Sequence, residues 1–158
     1  MQKEELILLL KEYRENNAKL KLRKKDKKKI EKELSELAAE VSFSNGYGIN
    51  SDIRSQNKIS DKVSNIVIKN DSKRLELEQK LKDIDAEIER LQDKVDEAEI
   101  RLKSLYYKER EILTAYYVDN RTAEEIGRNL YFELYQRTCT QDNIYRIIEK
   151  GTNRLLRL

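Results

Sequence analysis

Gln141, Asn143, Tyr145 and Arg146 stand close together in "TQDNIYRIIEKGTNRLLRL", the last stretch of the 158-residue sequence. The amides of Gln and Asn match the edge of adenine in the major groove, and the Arg fork matches guanine. Lys150 and Arg154 follow, with Arg157 beyond them, and cations of this kind pair with phosphate oxygens. Between these residues Ile144, Ile147, Ile148 and Leu155 recur at helical spacing. The pattern predicts a helix that is apolar on one side and polar to cationic on the other. Positive charge gathers here: residues 137–158 hold five Lys/Arg against two acids, whereas residues 108–136 hold four against six. Binding of a polyanion accounts for that shift. A merely solvated helical face is the competing reading.

Other chemistries find little support. The chain has no His, so neither a His-based triad nor a His metal cluster can form. Cys139 is the single cysteine, which rules out an intrachain disulfide and lacks an evident activating partner. No Gly-rich phosphate loop is present, and the carboxylates are spaced as a helical surface. No catalytic residue, metal or cofactor is therefore expected. A second basic run, "KLKLRKKDKKKIEK" at 19–32, carries nine Lys/Arg against two acids. Its Lys24, Lys25, Lys28 and Lys29 form a second candidate contact, for nucleic acid or for an acidic protein. A solvated helix is the plainer alternative.

The elements that must position these groups are all helical. Proline is absent and only four glycines occur, so little interrupts a helix. Leu77, Leu81, Ile84, Ile88, Leu91, Val95, Ala98, Leu102 and Leu105 alternate at spacings of four and three. This predicts a rod over 72–105 whose narrow seam needs a partner helix. Residues 1–41 repeat the pattern more weakly, with Asn16, Arg23 and Lys27 at seam positions that are expected to open to water or anions. Residues 42–71 read as a linker. Gly46 and Gly48 would break the helix there, Ser51-Asp52 and Ser60-Asp61 look like caps, and Val63, Ile66 and Val67 suggest one short helix. The simplest architecture is an antiparallel hairpin of the two rods. Pairing between chains is the alternative, and self-association through the coiled coil is expected.

Residues 106–158 form a small domain of different character, with seven of the nine tyrosines. A first helix is predicted near 108–117 and "VDNR" turns the chain. Thr122 then fits an N-cap, with Glu125 closing a capping box. A second helix runs through Ile126 and Leu130 towards Leu134, and Thr138 or Thr140 caps the last. Two helices joined by a polar turn, the second one basic, make a helix-turn-helix arrangement. Tyr131, Phe132 and Tyr135 read as core packing, with base stacking as the alternative.

"YYKEREILTAYYVDNRTAEEIGRNL" followed by "NIYRIIEKGTNRLLRL" resembles region four of bacterial sigma factors. It is closer to phage-encoded relatives of that module, the ArpU and RinA type late transcription regulators. The matching positions are Glu109, Arg110, Ile112, Leu113, Tyr117, Glu125, Ile126, Ile144, Tyr145, Arg146 and Leu155. One departure stands out. Ile126 and Ile144 lie eighteen residues apart, several more than is usual in the family. "YFELYQRTC" must therefore extend the scaffold helix, lengthen the turn or add a helical turn.

The resemblance implies an all-α regulator of phage or prophage genes that binds double-stranded DNA, with RNA polymerase as a further candidate partner. A cytoplasmic protein without a membrane segment is expected. The competing reading is a coiled-coil interaction protein that binds or inhibits a host protein and carries a vestigial helix-turn-helix.

Overall fold

A computed structural model describes residues 2–46 and 56–158. Every regular element among them is helical. Helix α1 spans Lys3–Gly46 and α2 spans Gln56–Lys103. Four short helices follow: α3 (Tyr107–Leu113), α4 (Ala123–Glu125), α5 (Tyr131–Tyr135) and α6 (Gln141–Leu155). A wider π-helical turn, π1 (Thr114–Val118), continues α3, and a second, π2 (Ile126–Leu130), joins α4 to α5. The architecture is all-α, as the heptads and the lack of proline predict.

The expected linker at 42–71 is corrected. Helix α1 reaches Gly46 and α2 starts at Gln56, so Ser60-Asp61 lies inside α2 and not at a helix start. Val63, Ile66 and Val67 belong to the same rod, which begins well before residue 72. The reason is cooperativity. Residues 56–71 contain neither Gly nor Pro, and each added residue extends an existing helix at little cost. Gly48 and Ser51-Asp52 lie outside the described residues.

The described residues fall into two compact units, one within Met1–Leu20 and Arg90–Leu158, the other within Lys21–Glu89. In the Lys21–Glu89 unit α1 and α2 pair antiparallel, with Leu37 and Leu77 buried and Ile30, Leu34, Leu81, Ile84 and Ile88 half-buried. The cationic seam positions do not simply open to water. Arg23 Nε lies 2.8 Å from Glu87 Oε2, and Lys27 Nζ lies 2.8 Å from Asp85 Oδ1. The anions that the seam called for are carboxylates of the facing helix. Beside Glu87 the Arg23 guanidinium is held charged even more firmly than usual, and Asp85 does the same for Lys27.

The other unit buries Leu6, Leu9, Leu10 and Leu20 of α1 with Leu91, Val95, Ala98 and Leu102 of α2. Tyr13 Oη donates to Glu99 Oε1 at 3.1 Å, and Lys94 pairs with Glu12 at 3.6 Å. Asn16 is buried in this seam, and its Nδ2 has no hydrogen-bond partner. In each unit, then, the seam's partner is the other long helix of the same chain. Leu6, Leu10, Leu102 and Leu105 continue into one core with Ile112, Leu113, Ile126, Ile144 and Leu155. The short helices beyond residue 106 thus complete their core with both ends of the rods in this unit.

Candidate nucleic-acid interface

The scaffold ahead of α6 is set by local chemistry. Thr122 Oγ1 accepts from the Glu125 N–H at 3.2 Å, and Glu125 Oε2 accepts from the Thr122 N–H at 3.0 Å. Together they close the predicted capping box. The Thr122 N–H holds the Glu125 carboxyl below the usual carboxylate range. From there α4, π2 and α5 run on to Tyr135. Gln136 stops them in the left-handed conformation, φ 56°, and its N–H donates to the Phe132 carbonyl at 2.8 Å.

The extra residues between Ile126 and Ile144 thus lengthen this helical run and give a turn at 136–140. That turn is strapped to the scaffold. The Cys139 N–H donates to the Gly127 carbonyl at 3.1 Å, and a Cβ on Gly127 would come within 2.4 Å of the Cys139 oxygen. Tyr131 is buried and Tyr135 stacks on it with ring centroids 4.4 Å apart. Phe132 departs from the expected core and is 48% exposed, because its side chain leaves the helix on the outer side.

Helix α6 is fixed by its apolar side and by polar ties along it. Ile144, Ile148, Gly151, Thr152 and Leu155 are buried, and Ile147 is half-buried. Thr152 Oγ1 donates to the Ile148 carbonyl at 2.8 Å and lies 3.3 Å from Tyr117 Oη. A hydroxyl has one hydrogen, so Tyr117 is the donor to Thr152. Arg101 Nη1 donates to the Leu155 carbonyl at 2.9 Å, satisfying one of the carbonyls that a helix end leaves open. Thr140 occupies the N-cap position without a side-chain hydrogen bond.

The predicted reading residues divide between two places. Asn143, Arg146 and Lys150 are exposed on the side away from the core, together with Asp142, Glu149, Asn153 and Arg157. Arg146, Glu149, Lys150, Asn153, Arg154 and Arg157 line one shallow depression. Gln141 and Tyr145 sit on the flank. Gln141 Nε2 donates to Tyr145 Oη at 3.2 Å, and the Tyr145 ring stands edge-on to Tyr116 with centroids 6.2 Å apart. Burial, then the neighbouring Tyr145 and Tyr117, push the Tyr116 phenol up from its ordinary value. Arg154 is already engaged. Its Nη1 meets Glu109 Oε2 at 2.5 Å and its guanidinium lies 4.9 Å from the Tyr106 ring centre.

Comparison with protein-family models, with curated proteins and with solved structures gives no match.

Asn153 joins this surface beyond the residues that the sequence predicts, and its helical spacing from Arg146 and Lys150 is the signal that places it on their side. Lys24, Lys25, Lys28 and Lys29 belong to the Lys21–Glu89 unit and all four are exposed. Lys29 Nζ is 3.8 Å from Asp26. Among the described residues no group of three or more His, Cys, Asp or Glu could hold a metal ion. No described helix is long and apolar enough to cross a membrane. What the α6 surface offers chemically is amide and guanidinium hydrogen bonding with exposed positive charge beside it.

Proposed function

We propose that this chain is a DNA-binding transcription regulator of the phage-encoded kind its sequence resembles, and that α6 enters the major groove as the second helix of a helix-turn-helix. Asn143 and Arg146 face bases, with Gln141 and Tyr145 at the edge of the contact. Lys150 and Arg157 meet phosphates, and Arg154 mainly secures the helix to Glu109. Such a protein works in the cytoplasm of its bacterial host, with RNA polymerase as its second proposed partner.

Clustering of cations along one exposed side of α6, where Arg146, Lys150 and Arg157 line a single depression, carries this reading. Arg146, Lys150 and Arg157 have no ion pair among the described residues, although Glu149 is close by in sequence. Cations held out on a firmly anchored helix suit a polyanion that supplies their counter-charges.

The test is a titration on duplexes taken from upstream of the genes neighbouring this one, at two salt concentrations. Arg146→Ala should cost about 1–3 kcal/mol and relax sequence preference. Lys150→Ala should weaken binding to all sequences alike and flatten the salt slope by about 0.9. Silence of both substitutions would remove α6 from the interface.

A further inference from the structure

We infer that a second DNA contact adjoins the first, in a cleft where Lys11 of α1 and Arg121 of the turn before α4 clamp the phosphate backbone of the duplex that α6 reads. This rests on the α6 reading and extends it to the far end of the sequence. The cleft measures about 680 Å³, and its lining includes Lys11, Tyr116, Arg121, Glu124, Gln141 and Tyr145. Two of the predicted reading residues, Gln141 and Tyr145, therefore share one concavity with cations brought from elsewhere in the chain.

The charge balance of the cleft points to an anion. Lys11 and Arg121 are exposed, and neither side chain makes an ion pair or hydrogen bond among the described residues. Glu124 is the acid in the lining, and it is taken by Arg128 at 2.5 Å. Glu125 next to it is held in the capping box and remains an electrostatic neighbour of Arg121, though without a salt bridge. The placement is also rigid. Leu6 and Leu10, both fully buried, fix the Lys11 turn of α1 into the core that holds Ile144 of α6. Arg121 is set by its own N–H, which donates to the Ala115 carbonyl at 2.9 Å, after Asn120 turns the chain at φ 56°. Cations without a salt bridge that flank base-reading groups are where a duplex backbone passes. Contacts there fix orientation without reading sequence.

The test uses the full chain and compares wild type, the Lys11→Gln/Arg121→Gln double variant, the charge-keeping Lys11→Arg/Arg121→Lys double variant and Arg146→Ala. Circular dichroism checks that each is folded, which is expected for exposed sites. Affinity for a preferred and a random duplex is measured at 50 and 200 mM salt. Loss of two phosphate contacts flattens the logarithmic salt slope by about 1.8, so the fall in affinity between these salts shrinks about tenfold. Preference between the duplexes stays at the wild-type ratio, and the charge-keeping variant keeps the wild-type slope. A wild-type slope in the Gln variant, with Arg146→Ala still impaired, overturns the cleft contact and leaves the α6 reading standing. Reduced preference in the Gln variant overturns the phosphate assignment in favour of base contact. Absence of wild-type binding to either duplex overturns both.

Discussion

Two arginines on α6 show how context decides what a residue does. Arg146 and Arg154 lie two turns apart, yet Arg154 is clasped by Glu109 and Tyr106 while Arg146 has no ion pair among the described residues. Spacing along the sequence could propose both for DNA. It could not show that a carboxylate 45 positions earlier folds against one of them. Gly127 offers a sharper test at this scale. It sits inside a helical run with no positive φ, so propensity alone predicts that Gly127→Ala gains about 1 kcal/mol. Its would-be Cβ, however, meets the Cys139 backbone oxygen, which has no side-chain freedom to move aside. Gly127→Ala is therefore expected to lose about 1–3 kcal/mol from the forced shift. Thermal or urea unfolding of the variant decides by sign, since a gain would show that the turn at 136–140 is not strapped to π2.

At the scale of the element, the long seams are informative where they deviate. Asn16 sits in an apolar seam with an unmatched Nδ2, and an unsatisfied buried donor costs about 1–3 kcal/mol. Asn16→Leu, which keeps the branching and number of side-chain heavy atoms though its methyl groups are bulkier, and which has apolar neighbours such as Leu20 and Val95 buried in the same unit, is predicted to raise unfolding free energy by about 1–2 kcal/mol. Equilibrium denaturation checks this, and an unchanged or lowered midpoint would mean that the amide has a partner in solution.

The heptads themselves were legible because their period is local, and so was the Thr122–Glu125 box, whose two partners are three residues apart. The ion pairs Arg23–Glu87 and Lys27–Asp85 were not, because they depend on the register between segments far apart in sequence. The expected linker gives way to helix for a related reason. Ser-Asp pairs signal caps only where the helix actually starts, and nothing in 56–71 stops α2. The wide turns π1 and π2 left no mark in the spacing at all.

At the scale of the whole chain, the short helices do not own their core. Leu6 and Leu10 of α1 are buried with Ile126, Ile144 and Leu155, so residues from opposite ends of the sequence fix one body around α6. This is why Lys11 comes to share a cleft with Gln141 and Tyr145, a placement that no motif announces. It also means that any binding surface on α6 should be studied in the full chain. The most direct measurement of the central claim is selection from a random pool of duplex DNA by the intact protein, followed by sequencing of what it retains. The expected result is enrichment of a short motif with A and G at the positions met by Asn143 and Arg146, and loss of the G preference with Arg146→Ala. A retained pool as random as the input would contradict the claim that α6 reads DNA.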